Sequence, residues 1–145
     1  MAFLIKPKEA SAMQSYDDIY KTTGAFSWTE LVTPDPQAAL AFYGQMFGWT
    51  SEAMNMGQGD YHVIKAGGTS VGGIMSAPPD AQGAPAMWCA YVTVPDTDAA
   101  VDKCVALGGR VCAGPMDIPS VGRFAVLQDP QGAVFNVIAY VPPSA

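Results

Sequence analysis

The chain has 145 residues, 50% of them apolar and 14% charged, with a net charge of −6. That length holds one domain, because two halves would each be too small to bury a good core. Seven basic residues supply neither the clustered cations of a nucleic-acid binder nor a basic stripe for an anionic membrane, and no apolar run approaches a membrane span.

The chain opens Met1-Ala2-Phe3-Leu4-Ile5-Lys6-Pro7, where the Lys-Pro break arrives too soon for a signal-peptide core. Cys89, Cys104 and Cys112 make an odd count without a CxxC, which fits neither a disulfide framework nor a structural zinc site. The expectation is a cytoplasmic protein with reduced, mostly buried thiols. Residues 1–23 have no counterpart elsewhere in the chain and read as an arm, with a short helix around Ala10–Tyr20. Packing on this domain, packing on a second subunit and disorder all stay open for it.

From Phe26 to Thr33 the sequence is β-prone and alternates, with Trp28, Glu30 and Val32 on one face and Ser27, Thr29 and Leu31 on the other. Pro34-Asp35-Pro36 breaks that strand and starts a helix, with Asp35 as N-cap and Pro36 at the first helical position. Ala38, Ala39, Phe42, Met46 and Phe47 recur at helical spacing, and Gly48 stops the helix. Three strands follow near 50–56, 60–66 and 69–76. A Pro/Gly/Ala linker, 77–85, leads to a second copy of the same order: a strand over Met87–Val94, a helix from about Asp96 to Leu107 ended by Gly108-Gly109, and strands near 110–114, 122–128 and 133–140.

The two halves align throughout. Leu31-Val-Thr-Pro34-Asp35 runs parallel to Val92-Thr-Val-Pro95-Asp96, and Met46-Phe47-Gly48 falls opposite Leu107-Gly108-Gly109. Tyr61-His62-Val63-Ile64 then matches Phe124-Ala125-Val126-Leu127, and the stretch from Gly68 to Ile74 matches Gly132 to Ile138. Ordered matches of this kind mark an internal duplication. The chain reads as an α+β domain, 24–145, built from two βαβββ modules of about 24–79 and 86–145.

With Asp35-Pro-Gln-Ala-Ala-Leu-Ala-Phe42-Tyr43-Gly44-Gln-Met-Phe47-Gly48-Trp49, with Gly108-Gly109, and with Asp129-Pro-Gln-Gly132 before the last strand, the chain resembles the vicinal oxygen chelate superfamily over about residues 24–142. That superfamily includes glyoxalase I, extradiol dioxygenases, fosfomycin-resistance enzymes and bleomycin-binding proteins. The resemblance implies a glyoxalase/bleomycin-resistance-type half-barrel whose sheet curls around one cleft, and pairing into a homodimer. It does not choose a reaction, since function lives in sites grafted on the fold.

Metal-dependent members hold a divalent ion with His and Glu from the first and last strands of each module. Counting back from Asp35 and Asp96 gives Trp28 and Cys89. Counting forward from Gly132 gives Asn136, which the repeat maps onto Gly72. Trp, Gly, a thiol and a neutral amide do not hold a hard cation or zinc unaided, so no metal and no other cofactor is expected. The cleft lining is then Trp28, Glu30, Met75, Cys89, Tyr91 and Asn136, apolar walls with a few orienting polar groups. Met54, Met56 and Met116 are further candidates for adaptable surface, with core filling as their default.

Glu30 beside Trp28 is a candidate proton donor or acceptor. His62, the sole histidine, joins it if its side chain faces inward, although alternation puts His62 with Ile64, opposite Tyr61 and Val63. Trp88 should point away from Cys89, under a helix, and Cys89 has no evident partner that would make it a nucleophile. Two functions stay open: binding of a small, mostly apolar or aromatic molecule, or a glyoxalase-like lyase or isomerase using Glu30. A dioxygenase is disfavoured, since iron needs the absent His/carboxylate set.

Overall fold

The computed structural model describes residues 16–55 and 60–141. The first module comprises β1 (Phe26–Thr33), α1 (Pro36–Phe47), β2 (Thr50–Asn55), β3 (Asp60–Ala66) and β4 (Thr69–Ser76). The second comprises β5 (Met87–Thr93), α2 (Thr97–Ala106), β6 (Arg110–Ile118), β7 (Gly122–Gln128) and β8 (Val134–Tyr140). All eight strands form one sheet in the order β2-β3-β4-β1-β5-β8-β7-β6. Within each module the first and last strands are parallel, β1 with β4 and β5 with β8. The two modules join where β1 runs antiparallel to β5.

Local chemistry sets the helix limits. Asp35 accepts a hydrogen bond from the Ala38 amide, and Asp96 accepts one from Ala99, at 3.1 and 3.0 Å. Each satisfies an amide that the helix itself leaves unpaired. Gly48 ends α1 in the left-handed region at φ 72°, a conformation that costs glycine little. One expectation is corrected at β6, which runs on through Gly114-Pro115 to Ile118 instead of stopping near 114. As an edge strand with register shifts at Ala113, it tolerates a proline that a central strand would not.

Both helices lie on one face of the sheet. Leu31, Ile64 and Ile74 form a core under Ala39, Leu40, Tyr43, Trp49 and Val71. Ala125, Leu127 and Val137 form its counterpart beneath Ala100, Val101 and Cys104. Residues that alternate with these face the opposite, inner side. The end of the arm packs on its own domain: a 3-10 turn at Tyr16–Tyr20 sets the Ile19 carbonyl 2.6 Å from Thr93 Oγ1, which donates to it. Tyr20 lies edge-on against Tyr140. The rest of the anticipated arm helix, Met56 and Pro142-Pro143 lie outside the described residues.

The helix face of the first module is unusually apolar. None of the twelve residues of α1 is charged, and Phe42, Met46 and Phe47 are each more than half exposed. Phe42, Tyr43, Phe47, Trp49 and Trp88 form a continuous chain of ring contacts. Trp88 Nε1 donates to the Tyr43 hydroxyl at 3.1 Å. A cavity of about 490 Å³ opens here, between the rings of Tyr43, Phe47, Trp49 and Trp88 and the strand residues Ile64 and Val71.

Candidate functional site

The inner face carries a buried polar network centred on Glu30, which is 8% exposed. Tyr91 Oη donates to Glu30 Oε2 at 3.0 Å, and the Tyr61 hydroxyl lies near enough to the same carboxyl group to favour its charged form. Tyr61 in turn accepts from Trp28 Nε1 at 2.8 Å. These groups sit on three strands. β1 supplies Trp28 and Glu30, and the antiparallel register sets Tyr91 opposite Trp28 and Cys89 opposite Glu30. Tyr61 comes from β3, beyond β4. It reaches Glu30 because Gly73 lies between them: a Cβ on Gly73 would coincide with the Tyr61 hydroxyl. Glycine inside a strand marks such a close approach.

Asn136 extends the site. It lies beside Tyr91 in the parallel β5–β8 register and is 3% exposed, and its Oδ1 is buried without a hydrogen-bond partner. At the other end Ser27 Oγ and Tyr140 Oη are 2.7 Å apart. Ser27 was expected on the opposite face from Trp28. A register shift between Phe26 and Trp28 adds a residue to β1 and brings Ser27 round to the Tyr140 side.

Burial governs the electrostatics. Desolvation raises the Glu30 pKa, opposed by the hydrogen bonds from Tyr91 and Tyr61. Both phenols are pushed up by burial and then by the nearby Glu30 charge. The Cys89 thiol is raised for the same two reasons. Its environment therefore holds it protonated and unreactive as a nucleophile.

Of the residues singled out in the sequence, Trp28, Glu30, Cys89, Tyr91 and Asn136 come together on the inner face. Met75 is half-buried and shares Gly73's side of β4 by alternation. His62 does not join them. It is paired with Ile74 and shares its strand face with Ile64, both in the core under α1, as alternation had it, so the condition for a partnership with Glu30, an inward side chain, is not met. The count that selected Gly72 is also one residue off. Glu30 and Tyr91 are repeat equivalents, and their parallel partners are Gly73 and Asn136, whereas Gly72 borders the outer cavity. Met54 and Met116 are exposed rather than core filling. Cys112 is exposed and Cys89 and Cys104 half-buried, all three unpaired. Tyr61, Gly73, Ser27 and Tyr140 were missed; the Gly72-Gly73 pair inside a strand was the available signal for the first two.

Comparison with known proteins places this geometry. The family model of the glyoxalase/bleomycin resistance protein/dioxygenase superfamily matches residues 25–137. The chain belongs to that superfamily. Among its relatives, a Mycobacterium tuberculosis protein described as "Putative glyoxylase CFP32" is 50% identical over 121 residues, covering 83% of this chain and 46% of that protein. The anthracycline biosynthesis protein DnrV of Streptomyces peucetius is 35% identical over 127 residues, covering 79% and 46%. The chain thus spans about half the length of the curated relatives it matches. Methylmalonyl-CoA epimerase from Mycobacterium tuberculosis has a similar structure, with TM-score 0.59, 15% identity, and coverage of 92% of this chain and 97% of that one. A hypothetical protein of Bacillus halodurans, BH1468, gives TM-score 0.64 at 10% identity, covering 86% and 99%. At such identities these two structures show a shared fold.

The superfamily implies a divalent ion, and the side chains at the corresponding positions do not fit one. They are Trp28, Gly73, Cys89 and Asn136, with Glu30 beside them. Among the described residues no three His, Cys, Asp or Glu side chains converge on a point. Trp28 and Gly73 offer no donor atom and Asn136 only a neutral amide, which leaves Glu30 and Cys89 short of a ligand set. Glu30 Oε2 already accepts from Tyr91 Oη.

Proposed function

We propose that this chain binds a small, mostly apolar or aromatic molecule on the inner face of its sheet, without the superfamily's usual metal triad. The observation that carries this reading is the network of Glu30, Tyr61, Tyr91 and Trp28, next to the unpaired Oδ1 of Asn136. Rings and Met75 supply apolar walls, and the polar atoms fix orientation, which is how small-molecule sites are generally built. The name of DnrV, an anthracycline biosynthesis protein, supports a flat aromatic molecule as the kind of ligand. A thermal-shift screen of flat aromatic compounds tests the reading, because a ligand of the native state raises Tm. Hits that shift the wild type and fail to shift Asn136→Leu and Trp28→Ala support it. Hits insensitive to both overturn it. Metal analysis of protein purified without chelator is an independent check: stoichiometric Zn, Ni or Fe that disappears in Glu30→Gln overturns the metal-free reading.

A second reading, a glyoxalase-like lyase or isomerase, is favoured by the buried Glu30 with its raised pKa, the property of a carboxyl tuned for proton transfer. The name of the CFP32 relative supports it too. Glu30 would act alone as the proton carrier, since His62 faces the helices. Turnover that survives Glu30→Gln removes this reading.

The homodimer is part of the proposal. An uncharged α1 with exposed Phe42, Met46 and Phe47 is the kind of surface that is covered in an assembly. Among the described residues no helix is long and apolar enough to cross a membrane, and three unpaired cysteines suit the reducing cytoplasm. We propose that as its location.

A further inference from the structure

We infer that Met54 and Met116 set the ligand range of the inner face: one thioether on each rim of the sheet follows the outline of the bound ring system, so the site takes fused aromatic ligands of different widths. The inference rests on the binding reading above and adds what decides which aromatic molecules fit.

The placement comes from the register. β2 and β6 are the two outermost strands of the sheet. On β2, Met54 stands opposite Tyr61, and on β6, Met116 stands opposite Phe124. Opposed residues of an antiparallel pair share a face. Tyr61 accepts from Trp28, and the Phe124 ring lies 6.2 Å from that of Tyr91, which donates to Glu30. Both methionines are therefore on the side that carries Glu30. Tyr61 and Phe124 are themselves equivalent in the two halves of the sequence, so each module ends in the same arrangement, an inner-face ring flanked by a methionine on the edge strand. In β6 this takes a register shift between Ala113 and Met116, without which Pro115 would stand opposite Phe124. Bulges re-aim side chains in this way.

Their surroundings leave these side chains adaptable. Met54 is 46% exposed and Met116 43%, and neither buried core cluster contains a methionine, so core packing does not fix their torsions. Met75 and Met87 add two more on the same side, since both stand opposite Val32, which shares a strand face with Glu30. An unbranched thioether chain with three rotatable bonds fits irregular partners and makes favourable contacts with ring edges. Methionine-rich surfaces are accordingly the ones that re-pack around different ligands. The middle of the face is built the other way, with Trp28 bonded to Tyr61 and Tyr91 to Glu30. A fixed floor between two adaptable rims orients a ligand and leaves its width free.

The experiment compares the wild type with the double variant Met54→Leu/Met116→Leu, titrated by fluorescence with 2-naphthol, 9-phenanthrol and 1-hydroxypyrene, which carry one hydroxyl on two, three and four fused rings. Leucine conserves volume and both positions are exposed, so the variant should melt with the wild type. The wild type should bind all three probes. The variant has lost the thioethers and a rotatable bond at each rim, and relative to its best probe it should lose at least one other by about three- to tenfold. A second readout needs no variant. Each bound probe should slow peroxide oxidation of Met54 and Met116, read by mass spectrometry, and leave the rate at Met46, exposed on the helix face, unchanged. Equal relative affinities in wild type and variant overturn the inference while leaving the binding reading intact, and so do bound probes that leave Met54 and Met116 as reactive as before. If none of the three binds the wild type, the binding reading fails and the inference falls with it.

Discussion

At the scale of single residues, the site depends on an atom that is missing. Gly73 has no Cβ, and the Tyr61 hydroxyl fills the space where one would be. Gly73→Ala must therefore displace Tyr61, breaking the bond it accepts from Trp28, moving it away from Glu30 and leaving buried polar groups unpaired. A loss of about 1–3 kcal/mol is expected from that mechanism, measurable by urea denaturation. The cost should largely vanish in a Tyr61→Ala background, because the double-mutant cycle removes the partner that clashes. An equal cost in both backgrounds would mean that the strand, not Tyr61, resists the methyl group. Glu30 supplies a second test. Its pKa is raised in the folded state, so folded protein holds the proton more tightly than unfolded protein. Its stabilising contribution is complete below the ordinary carboxylate pKa and is lost as pH rises through the folded value. Stability of the wild type should fall across that window, and the Glu30-dependent part of the slope should be missing in Glu30→Gln.

At the scale of elements, the duplication makes its own control. Asp35 and Asp96 cap α1 and α2 with the same geometry, so Asp35→Ala and Asp96→Ala should each cost about 1 kcal/mol, read as a drop in denaturation midpoint. A large inequality would show that one helix is held by packing rather than by its cap. These elements were legible in the sequence because their signals are local: Asp-Pro before α1, Gly48 after it, and alternation along β1. What was not legible depends on register between strands distant in the chain. The single-residue shift from Gly72 to Gly73 is set by β1–β4 pairing, and no turn residue encodes it. Ser27 changed faces through a bulge for the same reason. Tyr61 is the strongest case, since its role exists only because β4 lies between β3 and β1 and carries glycine at the crossing point. Alternation had already put His62 with Ile64, opposite Tyr61, and the β3–β4 pairing keeps it there.

At the scale of the whole molecule, the two modules share a topology but not a surface. α2 carries Asp98, Asp102 and Lys103 within ten residues, and Arg123 clamps it through Asp98, reaching Asp117 as well. α1 has no charge in twelve residues and turns Phe42 and Met46 outward. An uncharged helix that turns large apolar side chains to water is the kind of surface an assembly covers, and it is the surface on which the proposed dimer rests. A second copy is the partner proposed here, meeting the first through α1 in the self-complementary manner of a two-fold dimer. Sedimentation should then give a dimer for the wild type and a monomer for Phe42→Glu combined with Met46→Glu. Neither side chain belongs to the two buried core clusters, so the thermal transition should survive the change. A pair of glutamates at exposed positions of α2, Val105 and Ala106, should leave the dimer intact. A dimer that persists with glutamates at 42 and 46 would move the interface away from α1, and a wild type that sediments as a monomer at micromolar concentration would remove it.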